Sequence, residues 1–504
     1  MSAGKFADLP VGWSGATLPE LIGQHGLLSD GDWVESKDQN PKGEVRLTQL
    51  ADIGDGTFRD RSRRFLTATR AQELSCTPLA SGDLLIARMP DPLGRACIFP
   101  GATHQCVTAV DVCIMRPGNP CISNRWLMHF INSPVFRASV SQLQSGSTRK
   151  RISKANLCTI KLPVPPSAEQ GRIADAVDSH LSRLDDAEAT LERVKRNLER
   201  YRASVLQAAV EGHLVTTDAE VARLEGRPFE SAESLLSRTT RKSPIQAEDD
   251  GSGNRLHALP TGWSWTKLES ILAEPLVNGR SVQTAEVGFP VLRLTALKDG
   301  TIDLAERKVG AWTADEAAGC LVMRDDFFVA RGNGSIRLVG RGGLVLEDPD
   351  PVAFPDTFIR IRAREDVVNL RFLSYVWNSH VVRRYVERRA KTTAGIHKVN
   401  QADLAATPFP LPPREEQDRV VEVLDRAFSI AEFLRKQVER GSCSVARLRQ
   451  AVLSWAFQGR LVDQDPSDEP ATFLLERIRA ERTKAAPSPA TPRRRGRPRK
   501  AVKK

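Results

Sequence analysis

The chain is written twice, and that duplication limits its fold more than any other feature. Leu9-Pro10-Val11-Gly12-Trp13-Ser14 returns as Leu259-Pro260-Thr261-Gly262-Trp263-Ser264. Arg46-Leu47-Thr48 returns as Arg293-Leu294-Thr295, and Gly82-Asp83-Leu84-Leu85-Ile86-Ala87-Arg88 as Asp325-Asp326-Phe327-Phe328-Val329-Ala330-Arg331. Pro163-Val164-Pro165-Pro166 with Glu169-Gln170 returns as Pro410-Leu411-Pro412-Pro413 with Glu416-Gln417, and VLQAAVEGHLV (205–215) as VLSWAFQGRLV (452–462). The offset drifts from 250 to 243 early in each half, then holds at 247 from about residue 147. A repeat of this kind decides the fold before any local reading does. Each half has a front part that tolerates loop insertions and a rear part that tolerates none.

The rear part reads as helix. Each Pro-Pro suits a helix start, and no proline interrupts the long segment after it. Val177, Leu184, Ala187, Leu191, Val194, Leu198, Tyr201 and Val205 fall on alternating three- and four-residue steps. Leu424, Ala431, Leu434, Val438, Gly441, Val445, Leu448 and Val452 repeat that frame. Such an a/d seam, held over about four heptads, predicts two long helices packed on each other. Its contacts are expected at Leu184, Leu191, Leu198, Val205, Leu434, Val438, Val445 and Val452. Forty-five residues of helix from 167 would run about 65 Å at 1.5 Å per residue.

The front parts are mixed α/β. GDLLIAR, ACIF, AVDVCIM and FIRIR are short β-rich runs, and 125–140 and 371–386 are amphipathic helices. The expected fold is thus a duplicated α/β (α+β) chain: two globular domains separated by two long antiparallel, coiled-coil-like helices. The expected boundaries are 1–164 and 256–411 for the globular domains, and 165–236 and 412–482 for the helical spacers. Residues 237–255 form a polar linker, and 483–504 a basic disordered tail.

The formal charge of +11 points to an acidic partner. Residues 491–504 hold five Arg, three Lys and no acid, so the tail carries +8 and the rest about +3. Charge alone therefore does not make the globular part a nucleic-acid binder. Cys76, Cys97, Cys106, Cys113 and Cys121 cluster around His104 without a CxxC pair. These spacings suit buried thiols rather than zinc, and no metal site is expected. No apolar run approaches the roughly 20 residues of a membrane span. MSAGKFADLP has no signal-peptide h-region. A cytoplasmic protein is expected.

The repeat resembles the specificity subunits of type I restriction–modification systems. It does so through Leu9–Ser14 and its copy, GDLLIAR followed by 89–99 (MPDPLGRACIF), 326–345, the two Pro-Pro…Glu-Gln elements and the two helix ends. The resemblance covers nearly all of 1–482. It implies two target-recognition domains, each reading part of a split DNA site, with helices that space them and dock two modification (methyltransferase) subunits. Restriction/translocase subunits would join that core. It also implies no cofactor on this chain, with S-adenosylmethionine, ATP and Mg on the partner subunits. Half-sites on one face of B-DNA have centres roughly 34 Å apart. A rigid helical pair holds such a spacing.

No catalytic constellation stands out. The Asn/Asp-Pro-Pro-aromatic motif of a methyltransferase and the Gly-x4-Gly-Lys-Ser/Thr phosphate loop are both absent from the sequence. Gly332-Asn333-Gly334 reads as a turn between strands, and Asp356 lacks an acid-x-Lys partner. A non-catalytic specificity subunit is expected. The rival classes are a stand-alone DNA-binding or scaffold protein and a divergent methyltransferase or nuclease.

DNA affinity needs Lys/Arg at phosphates, and specificity needs polar side chains at base edges. Two loops at corresponding positions supply both. One holds Ser147, Thr148, Arg149, Lys150 and Arg151, the other Lys391, Thr392, Thr393, His397 and Lys398. Arg88, Arg331 and Asn333 join them at strand ends. In the tail, Arg495-Gly496-Arg497-Pro498 resembles an AT-hook, with Arg495 and Arg497 directed to an A·T minor groove. The two halves differ strongly between their shared blocks, so the two half-sites are expected to differ.

Overall fold

The computed structural model describes residues 9–89, 92–146, 149–239, 248–249, 253, 255–393 and 395–484. The chain forms two compact units. The first comprises Met1–Leu191 with Arg440–Lys504, the second Glu192–Glu439. Their boundaries fall inside the two long helices, Ser167–Val210 (44 residues) and Arg414–Ala456 (43 residues). Each unit thus takes the start of one long helix and the end of the other.

In the first unit, Val112–Arg116 and Leu84–Ala87 lie at the centre of a four-stranded antiparallel sheet, with Leu27–Asp30 and Ala96–Ile98 at its edges. A second sheet runs Arg64–Leu66, Val45–Thr48, Gln105–Thr108. All four residues of Leu84–Ala87 are buried, as are Cys97, Cys106 and Cys113. Burial pushes the Cys97 and Cys113 thiols up to about 12, which keeps them protonated apolar filler. Among the described residues no His/Cys/Asp/Glu group could hold a metal, and no helix is long and apolar enough to cross a membrane.

The second unit repeats the plan with a six-stranded mixed sheet. Phe327–Ala330 lies between Phe358–Ile361 and Gly342–Leu344. The expected single helices at 125–140 and 371–386 are each two. Ser133 ends Asn124–Asn132 and caps Pro134–Leu143, its Oγ accepting the Phe136 N–H at 3.3 Å. Leu370–Trp377 stops at Asn378, and Ser379 precedes His380–Arg389. A proline at the first turn and a capping serine start a helix rather than continue one.

The repeated blocks are the joints of this plan. Ser14–Thr17 pairs antiparallel with Lys161–Val164, and Ser264–Lys267 with Pro408–Leu411. The Trp13 indole donates to Glu169 Oε2 at 3.0 Å, and Trp263 to Glu416 Oε1 at 2.8 Å. The neighbouring glutamines tie helix starts to the joint. Gln170 accepts the Ser123 N–H at 2.9 Å, and Gln417 accepts that of Asn369 at 2.7 Å. The segment beyond each long helix then docks on a Gly-Trp-Ser block: Ala471 N–H donates to Gly12 O at 2.8 Å, and Ala232 N–H to Gly262 O at 2.9 Å. Helices Ala232–Thr239 and Ala471–Lys484 therefore belong to the globular units. The helical ends of both spacers run past the expected limits at 236 and 482.

The two joints differ in one respect. Burial pushes both glutamate carboxyls above the usual range, against the indole bonds that hold them down. Glu169 Oε1 is buried without a hydrogen-bond partner, whereas Glu416 Oε2 accepts the Asp218 N–H at 2.9 Å. A carboxyl with a raised folded pKa costs stability as pH rises from its unfolded value through the folded one, and the cost persists above it. Glu169→Gln keeps the indole acceptor and removes that cost, so it should stay within about 1 kcal/mol of wild type near neutral pH. Glu416→Gln turns a second donor towards Asp218 N–H and should lose about 1–3 kcal/mol. Urea denaturation of both variants measures the contrast; equal losses would refute it.

The long helices pair antiparallel. In the first unit Leu191 lies against Gly441, and Arg449 bonds Asp185 at 2.5 Å. In the second, the Arg202 guanidinium stands 4.5 Å over the Phe428 ring. Val438, Val445 and Val452 are buried, and Leu184, Leu191, Leu198 and Val205 half-buried, as the seam requires. Leu434 is not in the seam: it is 41% exposed, as are its counterparts Leu448 (50%), Val194 (37%) and Tyr201 (47%). Arg202, Phe428 and Arg449, each four residues after a seam position, join the contact, while Ala427 and Gly441 fill it from third positions. Arginine stems cover the seam there while their charged heads reach acids or an aromatic face. The larger third-position side chains, Val194, Tyr201, Leu434 and Leu448, are left facing out.

Candidate nucleic-acid interface

In the first unit the basic loop is a closed hairpin. Ser145 N–H donates to Arg151 O at 2.8 Å and Arg151 N–H to Ser145 O at 2.9 Å. Gly146 adopts φ +93°, and a Cβ there would stand 2.5 Å from Arg149 O. Only glycine meets both demands. Arg149, Lys150 and Arg151 are exposed, while Ser147 and Thr148 lie outside the described residues. Buried Ile152 roots the hairpin, its N–H donating to Arg88 O at 3.1 Å. Arg88 itself is committed inward. Its guanidinium donates to Val110 O at 2.5 Å and Ile152 O at 3.3 Å, and faces Asp30 at 3.2 Å. With 15% of its side chain exposed, Arg88 supports the hairpin rather than offering itself to a ligand.

The second unit builds a different surface at the same place. Lys391–Thr393 and Ile396–Lys398 form a hairpin, and Gly332–Asn333 adds a third strand to it. Gly332-Asn333 is thus a strand and not the expected turn, because its backbone finds a partner sixty-odd residues away. Asn333 lies opposite His397, and Gly332 opposite Lys398. Lys391 and Lys398 are exposed cross-strand neighbours. Thr392 Oγ1 lies 2.9 Å from His397 Nδ1, which orients the ring. Val399 N–H donates to Arg331 O at 3.0 Å, the counterpart of the Ile152–Arg88 bond. No described residue pairs with the half-buried Arg331 guanidinium, in contrast to Arg88. Helix His380–Arg389 runs directly into this ribbon and adds exposed Arg384, Arg388 and Arg389.

The structure therefore brings together Arg331, Asn333, Lys391, Thr392, His397 and Lys398 at one ribbon, and Arg149, Lys150 and Arg151 on one hairpin that Arg88 supports from beneath. Arg495 and Arg497 lie outside the described residues. Sequence reasoning passed over the segment 59–64 (RDRSRR), which held a signal in its charge density. It also passed over buried Asp83 and Asp326. These take Arg116 Nε at 2.6 Å and Arg362 Nε at 2.5 Å, at equivalent places in the two sheets.

Residues 39–197 match the family model described as the type I restriction modification DNA specificity domain. The chain is 31% identical over 372 residues, 72% of each chain, to the specificity subunit of the type I restriction enzyme StySPI of Salmonella potsdam. It is 28% identical over 501 residues to that of EcoKI of Escherichia coli K12, covering 96% of this chain and 97% of the relative. A solved structure concerning complex assembly and conformational transition of the type I restriction–modification system shares the fold. It has a TM-score of 0.57 and 18% identity, over 90% of this chain and 99% of that one.

Proposed function

Because the chain belongs to the specificity subunits of type I restriction–modification systems, we propose that each of its globular domains reads one half of a split, asymmetric DNA site, and that its long helices dock methyltransferase subunits. In this family the specificity subunit is not the catalytic component. One observation carries the recognition reading. In both units the arginine that ends a central strand bonds, through its carbonyl, to the root of a basic hairpin. Lys/Arg at phosphates and polar side chains at base edges are the two requirements of sequence-specific binding, and each hairpin supplies cations within a rigid frame. A simple hairpin in one unit and a three-stranded ribbon in the other support unequal half-sites.

The outward apolar row on the second long helix supports the docking role. Ile430, Phe433 and Leu434 in the second unit, and Leu448 and Trp455 in the first, are between 41% and 60% exposed. Exposed aromatic and aliphatic side chains grouped on a helix face, as in each unit, mark protein interfaces. S-adenosylmethionine then acts on the docked methyltransferase subunits, and ATP and Mg on restriction/translocase subunits. The basic tail adds sequence-tolerant affinity that salt weakens.

Co-expression with its methyltransferase subunit in a methylation-free host tests this reading. The chain should co-purify with that subunit, and methylome sequencing should return one bipartite, non-palindromic motif. A perfect palindrome, or methylation by the chain alone, would sink it.

A further inference from the structure

Residues 59–64 of the first unit hold four arginines and one aspartate, in a loop that is unusually well anchored. Asp52, fully buried, accepts the N–H groups of Gln49, Arg61 and Ser62 at 2.6–2.7 Å and Arg46 Nη2 at 3.3 Å. Arg59 N–H donates to Asp52 O at 2.8 Å. Asp60 adopts φ +48°, a conformation that persists only where its surroundings over-determine it. Arg59, Arg61, Arg63 and Arg64 are exposed on this frame. A run of surface arginines on a floppy loop is a solvated face, whereas these are held in place.

Two more arginines stand beside the loop. Gly56 N–H donates to Ala96 O at 2.9 Å, so the loop joins the edge strand next to Arg95. Asn132 accepts the Ala96 N–H at 2.9 Å and the Arg137 Nη2 at 3.2 Å, and Arg137 also pairs with Asp55. The Arg95 Nε is buried and has no hydrogen-bond partner among the described residues. Arg59 lies across Gly54, where a Cβ would stand 2.7 Å from its Nε. Burial, together with the charges of Arg59 and Arg137, holds the Arg95 guanidinium below its ordinary value, and Asp55 opposes them. Arg137 thus pairs with Asp55, and Arg59 and Arg95 stand near enough to act on that pair's surroundings electrostatically. The same turn carries Arg88: Gly94 N–H donates to Ala87 O at 2.9 Å, and Ala87 N–H to Arg95 O at 2.8 Å. The cluster and the basic hairpin share that turn.

We propose that Arg59, Arg95 and Arg137 form a binding site for one backbone phosphate of DNA, gripping the duplex beside the half-site taken by the first unit. This rests on the DNA-recognition reading above. Arg59 is exposed and Arg95 and Arg137 are partly so, and a phosphate meeting the atoms that reach solvent offsets their positive charge through charge-assisted contacts. Contacts of this type set position and carry no sequence information. In the second unit the loop before strand Arg307–Gly310 carries Asp299, Asp303 and Glu306, and Lys298 is tied to the last two.

The test is a salt titration of duplex binding by the full chain assembled with its methyltransferase subunits. One duplex carries the motif found by methylome sequencing, and one is unrelated. Arg59→Gln with Arg95→Gln should weaken both duplexes roughly fivefold to tenfold at low salt, lower the slope of log K against log salt by about 0.9, and leave the motif unchanged. Lysine at both positions should restore most of the slope. Arg59→Gln alone, on an exposed side chain, should move the slope in the same direction if the double variant fails to fold. A wild-type slope in the variants, or a loss confined to the cognate duplex, overturns the phosphate site. A wild-type complex that binds neither duplex overturns the recognition reading instead, and the site with it.

Discussion

Replacing Asp326 by alanine should cost the second unit about 3 kcal/mol, the low end of the range for breaking a buried ion pair by removing one partner. The carboxylate is 1% exposed and takes Arg362 Nε at 2.5 Å together with the Met323 N–H at 2.8 Å. Without it, the backbone N–H is stranded and Arg362 keeps its exposed contact with Glu274 and a 3.0 Å contact with Met323 Sδ. Arg362 is 24% exposed and reaches water, which places the loss below that of a sealed pair. Asp83→Ala should act alike in the first unit, where the carboxylate takes Arg116 and the Ala80 N–H at 2.8 Å. In units of this size such a loss lowers Tm by roughly 6–12 °C. Calorimetry measures it. Asparagine at either position removes the ion pair but keeps the backbone acceptor and should lose less than alanine; an asparagine variant as stable as wild type would mean that the ion pair contributes nothing.

Replacing Asn333 and His397 together should relax recognition in one half-site only. A side chain that reads a base edge supplies about 1–3 kcal/mol of discrimination, so the cognate complex should weaken by one to four orders of magnitude for the pair. The half-site taken by the first unit should keep its sequence. Lys398→Ala should behave differently, weakening all sequences about equally and lowering the salt slope by about 1. The two outcomes separate because Asn333 and His397 face each other across the ribbon, with the ring oriented by Thr392, whereas Lys398 is an exposed charge beside Lys391. Methylome sequencing of a host carrying each variant reads the result. An unchanged motif in the Asn333/His397 variant would remove this ribbon from the recognition surface.

Much of the architecture was legible because it is periodic or repeated. The seam valines at 438, 445 and 452 recur every seven residues, and a helix that keeps such a register must bury that row. The partner row was misread at Leu434 for a physical reason. Residues three and four after a seam position lie on either side of it, so apolar character alone favours the third. Where Arg202 and Arg449 find Phe428 and Asp185 the structure used the fourth, and it used the third only for small Ala427 and Gly441. Hydrophobicity could not announce that choice, and its consequence is the outward row that supports the docking role.

Candidate contacts were legible as residue types and loops but not as roles. Arg88 and Arg331 occupy the same place in two copies of one motif, yet only Arg88 meets an aspartate, from a strand that ends 58 residues earlier. The duplicated plan, the mixed α/β domains and the paired long helices followed from the sequence itself, since repeats and apolar periods are local properties of the chain. Which arginines turn inward, which face outward, and how Trp13, Glu169 and Gly12 meet the far end of the chain were decided by the tertiary structure. Those outcomes depend on strand register and on charges that only folding brings within a few ångströms of one another.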